Sequence, residues 1–145
     1  MTGTKGYKTA IIMRRNIGHL GGWLMRLKSL PYNLTVCKTA DIQQLDLKKE
    51  FYFIGRTDEE LSLVCRTEDA PAKATARDDG WRGFRIRGVL DFSLVGILAK
   101  LSGVLAANGI GIFAVSTYNT DYILVKAENA EKARAALEAA GHEVY

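Results

Sequence analysis

Two cysteines, two prolines and two histidines among 145 residues leave little material for several kinds of chemistry. Cys37 and Cys65 sit in the apolar runs LTVCKT and LSLVCR, with no CxxC spacing and no histidine nearby, so a metal centre is not expected. Nothing marks the chain as secreted, and both are expected as buried free thiols rather than a disulfide. His19 and His142 have no nucleophile or carboxylate at a suggestive spacing, so no catalytic residue is assigned and the chain is expected not to be an enzyme. A phosphate loop is absent too. GIGIF lacks the third glycine of a dinucleotide fingerprint and runs into a strand, so no cofactor is expected.

Long apolar runs are also missing. The richest stretch, SLVGILAKLSGVLAANGIGIFAV, is interrupted by lysine, serine, asparagine and glycine, short of the ~20 residues of a membrane helix. AIIM near the start is too short for the ~7 to 15 apolar residues of a signal-peptide core, which leaves the cytoplasm as the expected location.

The formal charge of +4 is unevenly placed. Six of the 20 basic residues fall in residues 1–30, where there is no acid, so residues 31–145 hold 14 bases against 16 acids. A surface of mixed sign has no electrostatic footprint for nucleic acid, and no such partner is expected. Arg82, Arg85 and Arg87 read as a solvated strand face, with Trp81 anchoring that strand to the core.

Glycines interrupt the start of the chain, and a regular pattern begins at Met25. Residues 1–25 are therefore read as an extension, with Met25 itself a candidate start of the native chain. Beyond it come the strand-like runs NLTVCK, EFYFIGR, LSLVCR and GWRGFRIRG, with TDEE as a hairpin turn. TADIQQLDLKK and TEDAPAKATARDDG have room for only a turn or two of helix.

The second half is clearer. FRIRGVL alternates, then Ser93 stands as an N-cap before Leu94, Ile97, Leu98, Leu101, Val104 and Leu105, one apolar stripe that ends at Asn108 and Gly109. GIGIFAVST and DYILVKA follow as strands, then a helix capped by Asn129 with Ala133, Leu137 and Ala140 inward, then HEVY. The order βαββαβ, with right-handed crossovers, predicts a four-stranded antiparallel sheet with both helices on one face, the ferredoxin-like arrangement. The expected fold is α+β, two tandem ferredoxin-like units: a degenerate first unit over 26–83 and a second over 84–145.

DFSLVGILAKLSGVLAANGIGIFAVSTYNTDYILV resembles the ACT domain, a small amino-acid-binding regulatory module. More narrowly it is similar to the ACT domains of aspartate kinases and of cytosolic arginine sensors, and residues 26–145 resemble small bacterial proteins of two ACT-like units. The resemblance implies a homodimer and a free amino acid held where ACT domains meet, by the loop before the first helix and by the second strand. Carried over, those positions are Asp91, Ser93, Leu94, Val95 and Gly96, and Ile112 to Thr117, among them Phe113, Ser116 and Thr117, with Asp121 just beyond.

An amino acid presents a carboxylate beside an ammonium. Unpaired N–H groups at the helix start suit the first and a carboxylate suits the second. Each residue also has a plain structural use: Asp91 as turn or cap, Ser93 as cap, Gly96 for close packing, Asp121 for the hairpin. The competing function is a structural interaction module that binds no metabolite. An acylphosphatase-like hydrolase would need an arginine-bearing loop, which DFSLVG does not offer.

Overall fold

The computed structural model describes residues 25–87 and 96–145. Eight strands join in one sheet: β1 (Arg26–Ser29), β2 (Leu34–Lys38), β3 (Tyr52–Arg56), β4 (Leu61–Arg66), β5 (Ala76–Ile86), β6 (Phe113–Ser116), β7 (Asp121–Lys126) and β8 (Glu143–Val144). Two helices, α1 (Ile97–Ala107) and α2 (Ala130–Ala139), cover part of one face. The fold is α+β and ferredoxin-like.

β5 organises everything else. Its first half pairs with β2 and its last three residues with β1, while β7 runs along its opposite edge from Trp81 to Arg85. The order through the second half is β6-β7-β5-β1-β8. The predicted four-stranded sheet is thus corrected to five strands, because β1 occupies the edge of β5 that β8 would fill. β8 pairs with β1 instead, in parallel. Short segments give no sequence signal of their neighbours, so this insertion was not readable in advance.

Alternation sets the two faces of the sheet. Leu27, Phe84, Ile86, Ile123 and Val125 point to the helices and pack with Ile97, Leu101 and Leu105 of α1 and Ala133 and Leu137 of α2. Each such leucine or isoleucine, fully buried, contributes about 1.5 to 3 kcal/mol. Ala140 is exposed, past the end of α2, and Ala136 takes the inward place expected for it. Asn129 holds the N-cap position of α2, but its side chain makes no capping hydrogen bond.

The first half has single 3₁₀ turns, Ile42–Gln44 and Thr67–Asp69, where longer helices would lie. Here loop residues Leu45, Ala70 and Ala74 cover Cys37, Leu63 and Cys65. Both thiols are free, as expected, and burial pushes Cys65 up to about 12, so it stays protonated and inert at neutral pH.

The other face carries Tyr32, Phe51, Phe53, Trp81, Phe113 and Tyr122 around Leu34, Val64 and Leu124. Three strands separate β3 from β7, so in a flat sheet their side chains would lie about 19 Å apart. The rings of Phe53 and Tyr122 are 5.1 Å apart. The sheet therefore curls until this aromatic face packs on itself. Phe51 turns into β3 with φ 60°, unfavourable for a bulky residue, and its ring meets Tyr32, Phe53 and Tyr122 edge-on.

The inserted strand is held at its start by His142, whose Nδ1 accepts the Met25 N–H at 3.0 Å. That bond requires a neutral imidazole protonated on Nε2. Burial, and secondly Lys100, hold the His142 pKa below its ordinary 6.5. Below 6.5 the unfolded chain takes up a proton that the folded chain refuses, so stability falls as the pH drops through that value. Urea unfolding between about pH 7 and about pH 5 should show this loss, and His142→Gln should flatten it. Asp78 and Asp79, whose pKa values are lowered by bonds from Lys126 and Thr35 respectively, act only below the ordinary carboxyl value of 3.8. An equal slope in His142→Gln would assign the effect elsewhere.

Candidate functional site

Among the expected site residues, Asp91, Ser93, Leu94 and Val95 lie outside the described residues, as do residues 1–24. Of the described ones, Gly96, Ser116, Thr117 and Asp121 gather at one end of the second half. β6 and β7 are joined by a tight turn in which Thr117 donates its N–H to the carbonyl of Thr120 at 2.8 Å. Thr120 is buried, and its hydroxyl donates to the carbonyl of Ile86 at 2.6 Å, fastening the turn to the end of β5. An unmet carbonyl at that depth would cost about 1 to 3 kcal/mol, so the bond fixes where β7 begins.

Register then places Ser116 directly opposite Asp121. Asp121 shares parity with Ile123 and Val125, so it stands on the helix side of the sheet, half-buried. Its carboxylate has no hydrogen bond or ion pair among the described residues. Ser116 and Ala114 share that side, exposed on β6, whose only strand partner among the described residues is β7.

Phe113 does not join them. It belongs to the aromatic face, 6.0 Å from Trp81, on the opposite side of the sheet from Asp121. Thr117 is exposed and its hydroxyl is engaged with the turn, donating to Thr120 O at 3.1 Å.

Gly96 is the N-cap of α1 with φ 87°, a conformation side chains disfavour. A Cβ built there would meet nothing within 4 Å, so the glycine serves the left-handed turn and not close packing. Only four residues join Asn108, the C-cap of α1, to the first residue of β6, so α1 runs opposite to β6 and begins at the end of the sheet where Ser116 and Asp121 lie. Gly96 offers the helix no capping side chain, and α1 has no acidic residue in its first turn. A helix start with a glycine N-cap and a carboxylate without a partner among the described residues thus lie at one end of one sheet.

The basic stripe divides. Arg85 donates from Nε to the Tyr122 hydroxyl at 3.0 Å on the aromatic face, whereas Arg82 pairs across from Val125 on the helix side and donates to the carbonyl of Leu30. Trp81 packs in the aromatic cluster as expected. Among the described residues there is no group of three metal-ligating side chains and no helix long and apolar enough to cross a membrane.

One feature of the first half escaped the sequence reading. LSLVCRTEDA (61–70) and DYILVKAENA (121–130) fold alike: a six-residue strand, then a 3₁₀ turn preceded by a residue at φ −60°, ψ 142° in both. The hairpins before them match as well, Thr57 N–H bonding Glu60 O at 2.9 Å as Thr117 bonds Thr120. Aligning those two decapeptides would have found the correspondence. Beside the Thr57–Glu60 hairpin lies a hollow of about 320 Å³.

The model of the ACT domain family matches residues 76–139. A crystal structure of a protein from Agobacterium tumefaciens is 34% identical, covering 84% of this chain and 92% of that one, with a TM-score of 0.74. A protein of unknown function from Vibrio cholerae, described as a possible transport protein, is 24% identical over 80% of this chain and 89% of its own, at 0.64. The ligand-free regulatory subunit of aspartate kinase from Thermus thermophilus shares the fold at 14% identity, over 79% and 95%, at 0.57. No curated protein matches the chain.

Proposed function

Because the chain belongs to the ACT domain family, we propose that it is a non-enzymatic regulatory module that binds a free amino acid. The observation that carries this is the half-buried carboxylate of Asp121, without a hydrogen bond or ion pair among the described residues, at the end of the sheet where α1 starts from the glycine N-cap Gly96. Asp121 receives the ammonium. Residues 91, 93, 94, 95 and 96, before and at the start of α1, receive the carboxylate. Ser116 and Thr117 border the ligand, and Phe113 supports β6 from behind.

The proposal also takes residues 26–83 and 84–145 as two ferredoxin-like units, for which the matching strands and 3₁₀ turns sixty residues apart are the support. The ligand bridges two copies of the second unit across a homodimer contact, in the cytoplasm. It then stabilises the folded assembly by linkage, about 2.7 kcal/mol at a hundred times Kd. Regulation requires that a partner distinguish the liganded state.

A thermal-shift screen of the free amino acids is the test. At least one should raise Tm at millimolar concentration, and Asp121→Asn should weaken it about tenfold, or 1.4 kcal/mol, by removing the charge while keeping the shape. Silence across the panel would sink the proposal. A hit untouched by Asp121→Asn would remove Asp121 from the site.

A further inference from the structure

Arg85 and Arg87 of the basic stripe share the aromatic side of β5, and β1 brings two more cations beside them. Lys28 stands directly opposite Arg85. The ladder runs one pair further, since Arg87 N–H donates to Arg26 O at 2.9 Å and those two residues are opposite in the same register. Leu27 and Ile86, between the two pairs, point to the helices, so all four charged side chains leave the sheet on the other face. Within a row the facing Cα atoms are about 5.5 Å apart, as in any hydrogen-bonded antiparallel pair, and the rows are about 6.8 Å apart along the strands.

Like charges set directly opposite each other weaken a sheet. Edge strands use lysine to repel other chains, but β1 lies between β5 and β8 and has no free edge to defend. Neighbouring strands on that face offer little compensation. Glu143 of β8 contacts Arg26 at 3.2 Å, and Arg85 reaches only a neutral group, the Tyr122 hydroxyl. Lys28 and Arg87 have no ion pair among the described residues. Arg26, Lys28 and Arg85 are half-buried, which limits how far the charges can swing apart.

We propose that this two-by-two array of cations is a docking surface for a partner protein, and that it takes an extended acidic segment with carboxylates at alternate positions. Alternate side chains of an extended chain are also about 6.8 Å apart. One carboxylate therefore falls on each row, between its two cations, and accepts charge-assisted hydrogen bonds from both. Nucleic acid suits the array less. With Glu143 on Arg26, three cations are left to neutralise phosphates, against the roughly 6 to 10 phosphate contacts that make a strongly salt-dependent binder. Residues 25–145 hold 16 bases and 16 acids, so no wider positive field extends the patch. The array lies on the opposite face from Asp121, so it stands or falls apart from the amino-acid site.

The test is a heteronuclear NMR titration of the full chain with three capped pentapeptides: Thr-Glu-Val-Glu-Thr, its diglutamine counterpart, and Thr-Glu-Glu-Val-Thr, in which the acids are adjacent. The first should give saturable shifts at the amides of Lys28, Arg85 and Arg87 in the millimolar range, and both others should bind more weakly, the diglutamine peptide by at least about tenfold. Lys28→Gln and Arg87→Gln should each weaken the first peptide about threefold and together about tenfold, the range of exposed ion pairs. Because Lys28→Gln relieves the opposition to Arg85, it should do this without lowering the melting midpoint, which a lysine placed for the fold would not allow. Asp121→Asn should leave the titration unchanged. Absence of saturable shifts at these amides overturns the proposal, as does equal binding of the diglutamine or the adjacent-acid peptide, a response that Asp121→Asn abolishes, or a lowered midpoint in Lys28→Gln. A thymidine trinucleotide, with the same two charges, binding more tightly than the first peptide would assign the surface to nucleic acid instead.

Discussion

Phe84→Ala is expected to lower the unfolding free energy by about 3 to 5 kcal/mol and the melting midpoint by roughly 10 °C. Phe84 is 2% exposed and is paired on both sides, with Ser29 of β1 and Ile123 of β7. Its ring fills the space between the sheet and the helices, where the inserted strand leaves neighbours on every side and little freedom to collapse into a void. The adjacent Arg85→Ala removes a bond to Tyr122 on the other face and should cost within about 1 kcal/mol. Chemical denaturation of the two variants reads the orientation of β5 directly. Arg85→Ala the more damaging of the pair would mean that β5 faces the other way.

That orientation was legible from FRIRGVL alone, since a strand with one buried face must alternate. The stripe of α1 was legible for the same reason: Ile97, Leu101 and Leu105 are buried, and Leu98 and Val104 pack at the margin. What local pattern cannot give is which strands meet. RLKS in β1 is four residues with no distinctive alternation, yet it displaces β8 from β5. The curl that brings Phe53 onto Tyr122 is likewise a property of the whole sheet. No window of the sequence contains it.

The candidate site divides along the same line. Ser116 and Asp121 face each other because a hairpin of known turn length fixes its register, and both ends of STYNTD were visible in the sequence. Phe113 and Ser116 are three apart in one strand, so alternation already placed them on opposite faces, and grouping both in one site conflicted with that parity. Gly96 was ambiguous between close packing and a ligand's approach. Its φ of 87° shows a third reason that composition could not supply. The hollow beside the Thr57–Glu60 hairpin went unread because the first half has no long helix to announce its plan, although its strands repeat those of the second half at an offset of sixty residues.

Gly83→Val should destabilise by about 1 to 3 kcal/mol, and the cause is space rather than backbone conformation. Gly83 lies on the aromatic side of β5, opposite Leu124, and its carbonyl accepts the N–H of Leu30 at 2.8 Å where the chain passes from β1 to β2. A Cβ there would already sit 3.0 Å from one methyl each of Leu30 and Leu34, which are 1% and 0% exposed. Alanine asks those leucines to shift by a few tenths of an ångström, and it gains some strand preference over glycine in return. Valine adds two methyl groups that have nowhere to go without moving the crossing between β1 and β2. If crowding is the cause, Leu30→Val should cost less in the Gly83→Val background than alone, because the space it vacates is then used. Urea unfolding of the four proteins of this double-mutant cycle gives the coupling directly. Strict additivity would mean that the glycine is required for something other than the room it leaves to Leu30.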